Sequence, residues 1–241
     1  MQEVRILPAG DQALLVEFGR HIAPELSANV RALRQSLHRI PINGILDIIP
    51  SYASLLVEYD PSFVSSEVLS AEIRQRLPLK TEELERKQEL FVLPTIYGGE
   101  FGPDLDDVAD HAGLTAEEVV ALHTNRNYLV YLIGFTPGFP YLGSLDERIA
   151  MPRLTNPRLK IPGGSVGIAG AQTGIYPSES PGGWRLIGQT PIPLFNLQAD
   201  PPALLQPGVW VRFRPVDDIE FTLIKQQLTE GTYRIDRISH D

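Results

Sequence analysis

Gly163-Gly164-Ser165-Val166-Gly167 matches G-x-S-x-G, the pattern that presents a serine nucleophile on a sharp strand-to-helix turn. That chemistry needs a helix after the serine and a histidine to take its proton. Here Pro162 precedes the motif, Gly170 and Gly174 stand where the helix would run, and the only downstream histidine is His240. A serine hydrolase is therefore not expected. The backbone amides of the same stretch can instead cradle an anion as a nest, or simply turn the chain between two strands. The histidines are His21, His38, His111, His123 and His240, none of them in H-E-x-x-H spacing, and there is no cysteine. No metal site, disulfide or thiolate chemistry is expected. No P-loop motif occurs, and no G-x-G-x-x-G opens a helix. His123 is the histidine best placed for a role. It ends a helix, where the dipole favours it for structural reasons, and it stands just before a strand that feeds the most unusual part of the chain.

That part is Gly134–Pro193, which holds 11 of the 20 glycines and 9 of the 21 prolines. So many glycines and prolines exclude a run of helices. Its apolar residues exclude a disordered linker, so it reads as short strands and shaped loops that present a surface. Phe135, Phe139, Tyr141, Tyr176 and Trp184 are spaced irregularly through it. Most of these rings fit a core, but aromatics in constrained loops also line grooves that anchor a partner or a small ligand. Arg148, Arg153, Arg158, Lys160 and Arg185 against Asp146, Glu147 and Glu179 give the stretch a charge of +2, while the whole chain carries −9. A locally positive face on an acidic protein favours a small anion or is a solvated loop face. The overall charge argues against nucleic acid and anionic membrane as partners. No apolar run approaches the ~20 residues that span a bilayer, and no basic-then-apolar leader opens the chain, so a cytoplasmic protein is expected.

The elements that position these residues fall into two groups. Val4–Leu7 and Ala13–Phe18 read as strands, and Pro24 opens a helix with Leu26, Val30, Leu33 and Leu37 on one face. Strands at Ile45–Ile49 and Ser54–Tyr59 and a helix from Ser65, carrying Leu69, Ile73 and Leu77, complete a small α+β domain over residues 1–80. Residues 81–90 are highly charged and read as a linker. Residues 91–241 read as a second domain. It has strands at Phe91–Ile96, Tyr128–Ile133, Val209–Arg214 and Tyr233–Ile238, and helices near Asp104–His111, Thr115–His123 and from Asp217 or Asp218 to Leu228. Thr115-Ala116-Glu117-Glu118 is a capping box. Many short strands with few helices predict a closed or nearly closed β-barrel.

Four runs carry a resemblance: Tyr97–Leu105 (YGGEFGPDL), His123–Gly143 (HTNRNYLVYLIGFTPGFPYLG), Pro157–Pro191 and Leu204–Phe213 (LLQPGVWVRF). With them the chain resembles, over nearly its whole length, the family that unites the 5-oxoprolinase B subunit, the kinase A inhibitor KipI and the allophanate hydrolase subunit 1 domain. The resemblance implies an α+β N-terminal domain followed by a cyclophilin-like β-barrel domain. It implies subunits C and A as partners and ATP as co-substrate in opening 5-oxoproline to L-glutamate. Its alternative is docking on a histidine kinase to block autophosphorylation. Carried onto this sequence, the site surface is His123, Phe135, Thr136, Pro137, Gly138, Phe139, Tyr141, Pro162, Gly163, Gly164, Ser165, Gln172, Gly182, Gly183, Trp184 and Gly188. His123 would act as acid/base or positioning group, the glycine amides would hold an anion, and Arg158 and Arg185 would add charge. Gly163 departs from the alanine common among relatives, and Pro140 stands at a variable position; neither change removes a reactive group.

Overall fold

The computed structural model describes residues 4–77 and 88–240. The chain divides into two compact units, Met1–Arg86 and Lys87–Asp241. The expected linker, residues 81–90, lies outside the described residues as far as position 87.

Among the described residues the strands of the first unit are β1 (Arg5–Pro8), β2 (Ala13–Glu17), β3 (Ile45–Pro50) and β4 (Ser54–Tyr59); its helices there are α1 (Pro24–Arg39) and α2 (Ser66–Gln75). The strands form one antiparallel sheet in the order β1-β2-β4-β3. Alternate residues of the inner strands, Leu14 and Val16 on β2 and Leu55 and Val57 on β4, share one core with Val30, Leu33 and Leu37 of α1 and Leu69 and Ile73 of α2. Pro24 starts α1 where a missing amide costs nothing. The Ser65 hydroxyl accepts from Val68 N–H at the start of α2. The Arg76 guanidinium donates to the Ser36 and Ile40 carbonyls at the end of α1, tying the two helices together.

The second unit is a closed barrel. Its strands are β5 (Gln88–Tyr97), β6 (Tyr128–Ile133), β7 (Pro140–Leu142), β9 (Ser165–Ala169), β10 (Gln172–Ile175), β12 (Arg185–Gln189) and β13 (Trp210–Pro215), and β14 (Asp236–His240) adds to β5. The ring runs β12-β9-β10-β7-β6-β13-β5 and closes where β5 pairs again with β12. β13 and β5 are parallel, whereas the other pairs are antiparallel. β8 (Arg158–Ile161) and β11 (Ser180–Gly182) form a separate two-stranded ribbon. Among the described residues this unit has three α-helices, α3 (Leu105–Ala112), α4 (Ala116–Thr124) and α5 (Asp218–Thr229), and a short 3-10 turn at Glu147–Ile149. The capping box of α4 is formed in full, with Thr115 and Glu118 each bonding the other's backbone amide. The last strand begins at Asp236, not at Tyr233, because the Thr232 and Tyr233 amides turn back to the Gln227 carbonyl and finish α5.

The seam of the barrel depends on one glycine. Gly188 faces Tyr97 across the β12–β5 junction, beside a bulge at Leu186–Gly188. A Cβ there would run into the Ile96 carbonyl oxygen and lie 3.2 Å from both Thr95 Cγ2 and Tyr97 Cδ1. Neither backbone oxygen nor ladder can give way without opening the seam. Gly188→Ala is expected to cost about 3 kcal/mol, the upper range for overpacking a well-packed site, read as a lowered melting temperature of the purified chain.

Candidate functional site

The barrel's alternation explains why Gly134–Pro193 is so rich in glycine. On β9, Val166 and Ile168 point into the main core, and on β10, Ile175 does the same. The intervening positions face outward and are small: Gly167 and Ala169 on β9, Gly174 on β10. A second apolar layer lies over them, built from Phe139, Ile161, Ala169, Tyr176, Trp184 and Leu186, with Tyr141 packed against it. A Cβ on Gly174 would sit 2.9 Å from the Phe139 ring, and one on Gly167 would sit 3.0 Å from Trp184 Cβ. The glycines are the seats of the rings. Every residue of β9 is buried, because the strand is covered on both faces.

Phe139 lies at the centre of this layer, with the rings of Phe135, Tyr141, Tyr176 and Trp184 at 5.0–5.8 Å. Their edge-to-face and tilted contacts fix the geometry. These five aromatics, with Arg153, Pro157, Pro181, Gly182 and Gly183, line one cavity of about 300 Å³. Phe135 is the rim. It is 64% exposed and has a φ of 64°, a conformation that strains a non-glycine residue. The turn Thr136-Pro137-Gly138-Phe139 sets it there, closed by Phe139 N–H to the Thr136 carbonyl, with proline second and a left-handed glycine third. Two hydroxyls next in sequence to lining residues, Thr136 Oγ1 and Ser180 Oγ, are buried with no hydrogen-bond partner among the described residues. Burial pushes the Tyr176 phenol's pKa up, against a hydrogen bond with the Trp184 backbone.

The basic residues of the stretch are mostly spent on structure. Arg148 pairs with Asp146, Arg158 with Asp104, Lys160 with Glu179 and Arg185 with Asp107. Arg153 is the exception among the described residues. It has no ion pair, and its guanidinium lies over the Trp184 ring, 5.8 Å from the centroid. The positive charge expected from Arg158 and Arg185 is thus neutralised in place, and the cavity's cation is Arg153.

The expected anion nest is also committed elsewhere. Gly164 N–H donates to the Tyr176 carbonyl and Ser165 N–H to the Pro162 carbonyl, so these amides hold a turn. Gln189 donates to the Gly163 carbonyl. Ser165 is 3% exposed and starts a strand with no helix after it. Gln172 begins β10 opposite Ala169, and Gly188 closes the barrel; neither lines the cavity.

His123 is fully buried, on the inner side of the same two strands. Its Nδ1 is 2.8 Å from the Tyr97 hydroxyl and its Nε2 is 3.0 Å from Thr173 Oγ1. The Thr173 hydroxyl donates its one proton to the Gly167 carbonyl, so the network assigns the ring: Nε2–H donates to Thr173, and Nδ1 accepts from Tyr97. Burial, helped by the charge of Arg126, lowers the histidine's pKa to about 3. The ring is neutral, has both nitrogens engaged and has no accessible surface. It braces β9 and β10 from within, beneath the seats of Trp184 and Phe139.

A second cavity, about 760 Å³, lies by β13 and β14 and is lined in part by Arg212, Arg214, Asp236 and Arg237. None of the residues expected from sequence lines it. Among the described residues no cluster of histidine and carboxylate side chains is fit for a metal, and no helix is long and apolar enough to cross a membrane.

A closed barrel carries an aromatic cavity on its outer face, with Arg153 and the tyrosines Tyr141 and Tyr176 among the described residues that line it. The chain belongs to the family described as carboxyltransferase domain, subdomain C and D, whose model matches residues 4–205. It is 42% identical to the 5-oxoprolinase B subunit of Bacillus subtilis (strain 168), over 90% of this chain and 95% of that one. It is 45% identical to the 5-oxoprolinase B subunit of Haemophilus influenzae, over 78% and 85% respectively. The solved structure of TTHA0988 matches with a TM-score of 0.74 at 38% identity, covering 86% of this chain. This chain spans 40% of that longer chain.

Proposed function

We propose that this chain is the B subunit of an ATP-dependent 5-oxoprolinase, which opens the lactam of 5-oxo-L-proline to L-glutamate together with subunits A and C. The observation that carries the reading is the likeness to proteins named as the B subunit of 5-oxoprolinase across almost the whole chain. The cavity supports it: its walls can hold a small ring, yet they offer no group to activate an amide. An unstrained lactam is a poor electrophile, so its opening takes activation by the ATP that the complex uses. In this reading residues 1–80 are an α+β domain, residues 81–90 a linker and residues 91–241 a cyclophilin-like barrel domain, and the complex works in the cytoplasm. The aromatic cavity is the contribution of this chain, and His123 keeps its floor in place.

The test is reconstitution. Purified subunits A and C are mixed with this chain, 5-oxoproline and ATP, and glutamate and phosphate are followed. Both products are expected only when this chain is present. An unchanged rate on omitting it overturns the proposal.

A further inference from the structure

Resting on that reading, we infer that the outer cavity is where 5-oxoproline is held, with Arg153 binding its carboxylate and the rings around Phe139 enclosing its lactam. The ligand has two parts, a small five-membered ring and a carboxylate, and the cavity has two matching parts. Phe139, Tyr141, Tyr176 and Trp184 form an apolar enclosure of about 300 Å³, which takes a single small ring with space over for a group from a neighbouring protein. Arg153 stands at its wall. The guanidinium carbon of Arg153 lies 5.8 Å from the Trp184 centroid, and the planar N–H fork of an arginine grips a carboxylate with two parallel bonds. Four of the five basic residues in Gly134–Pro193 are already paired with carboxylates, and Arg153 is not. Among the described residues no acidic side chain lines the cavity to compete with or repel the ligand. The strained, exposed Phe135 at the rim is positioned to cover a bound ring.

The inference is a statement about binding, so it is read in KM. Arg153 is exposed, and its replacement leaves folding intact, checked by circular dichroism. In the reconstituted complex, Arg153→Ala is expected to raise KM for 5-oxoproline by roughly tenfold or more, the loss of one charge-assisted, bidentate contact, and by more than it lowers kcat. Arg153→Lys, which keeps the charge but loses the fork, is expected to fall between. The alanine variant is also expected to lose discrimination between 5-oxoproline and 5-oxoprolinamide, whose carboxylate is neutralised. If the complex requires this chain but Arg153→Ala leaves KM and that discrimination unchanged, the inference fails and the proposed function stands. If the complex turns over without this chain, the proposed function fails first. In that case binding is read directly, by titrating 5-oxoproline into the chain alone and following Trp184 by nuclear magnetic resonance: a response that Arg153→Ala weakens sustains the site, and silence rejects it.

Discussion

Replacing His123 with alanine is expected to destabilise the second unit by about 3–5 kcal/mol, the cost of a buried cavity plus an orphaned hydroxyl. The ring fills core space against Phe213, at 4.5 Å between centroids, and against Tyr128 at 5.4 Å. Its loss also leaves the Tyr97 hydroxyl without its acceptor and the Thr173 oxygen without the ring N–H, while Thr173 keeps its bond to the Gly167 carbonyl. For a unit of this size the melting temperature is expected to fall by roughly 10 °C. The same residue sets a pH signature. The folded pKa is about 3, below the unfolded value of about 6.5. The histidine's contribution is therefore complete above pH ~6.5 and is lost as pH falls, because the unfolded chain takes a proton that the folded chain refuses. The slope is about 1.4 kcal/mol per pH unit through that window. Between pH 7 and pH 5 the wild-type chain is expected to lose about 2 kcal/mol from this source, and His123→Ala to lose that much less. Urea midpoints at the two pH values measure the difference. Equal acid limbs in the two proteins would mean that the ring is not held neutral in the core.

How much of this is legible in the sequence depends on whether the signal is local. The capping box at Thr115–Glu118, the helix faces and the strands at Ser54–Tyr59 and Tyr128–Ile133 are local, and they appear in the structure at or within a residue of their expected bounds. The aromatic cavity is half legible. Rings among glycines and prolines suggest a lined groove, and all five rings do line one. The reason for the glycines lies beyond reach, because it requires knowing which face of β9 and β10 is outward. Only then do Gly167 and Gly174 become seats for Trp184 and Phe139. Charge is the least legible. Arg153, Arg158 and Arg185 look alike in sequence, but the carboxylates that claim Arg158 and Arg185 come from Asp104 and Asp107, far earlier in the chain. The cation left for the cavity is found only by elimination in three dimensions. His123 stands out in the sequence for its place beside the central strand, and that place is what buries it.

Asp104→Ala is expected to be comparably damaging, and its reach extends to the cavity wall. The Asp104 carboxylate is 3% exposed and accepts three hydrogen bonds, from Arg158 Nη1 at 2.9 Å, Arg158 Nη2 at 2.7 Å and Leu186 N–H at 2.6 Å. It stands just before α3 and so locks that helix to β12 and to the β8–β11 ribbon. Removing it leaves a guanidinium and a buried amide without partners, which costs about 3–5 kcal/mol when a buried pair is broken on one side. Adding Arg158→Ala removes the stranded charge, so the double variant is expected to lose clearly less than the sum of the two single ones, the mark of direct coupling. Additive losses would show that the pair is incidental. Because β8 pairs with β11, which carries Pro181 and Gly182, loosening this clamp frees one wall of the aromatic cavity. Asp104→Ala is therefore expected to weaken whatever the cavity holds at temperatures where the barrel is still folded, a loss visible in Trp184 fluorescence on ligand titration. Through this clamp Arg158, which looks like a site charge in sequence, ties the β8–β11 ribbon to the start of α3 from outside the cavity lining.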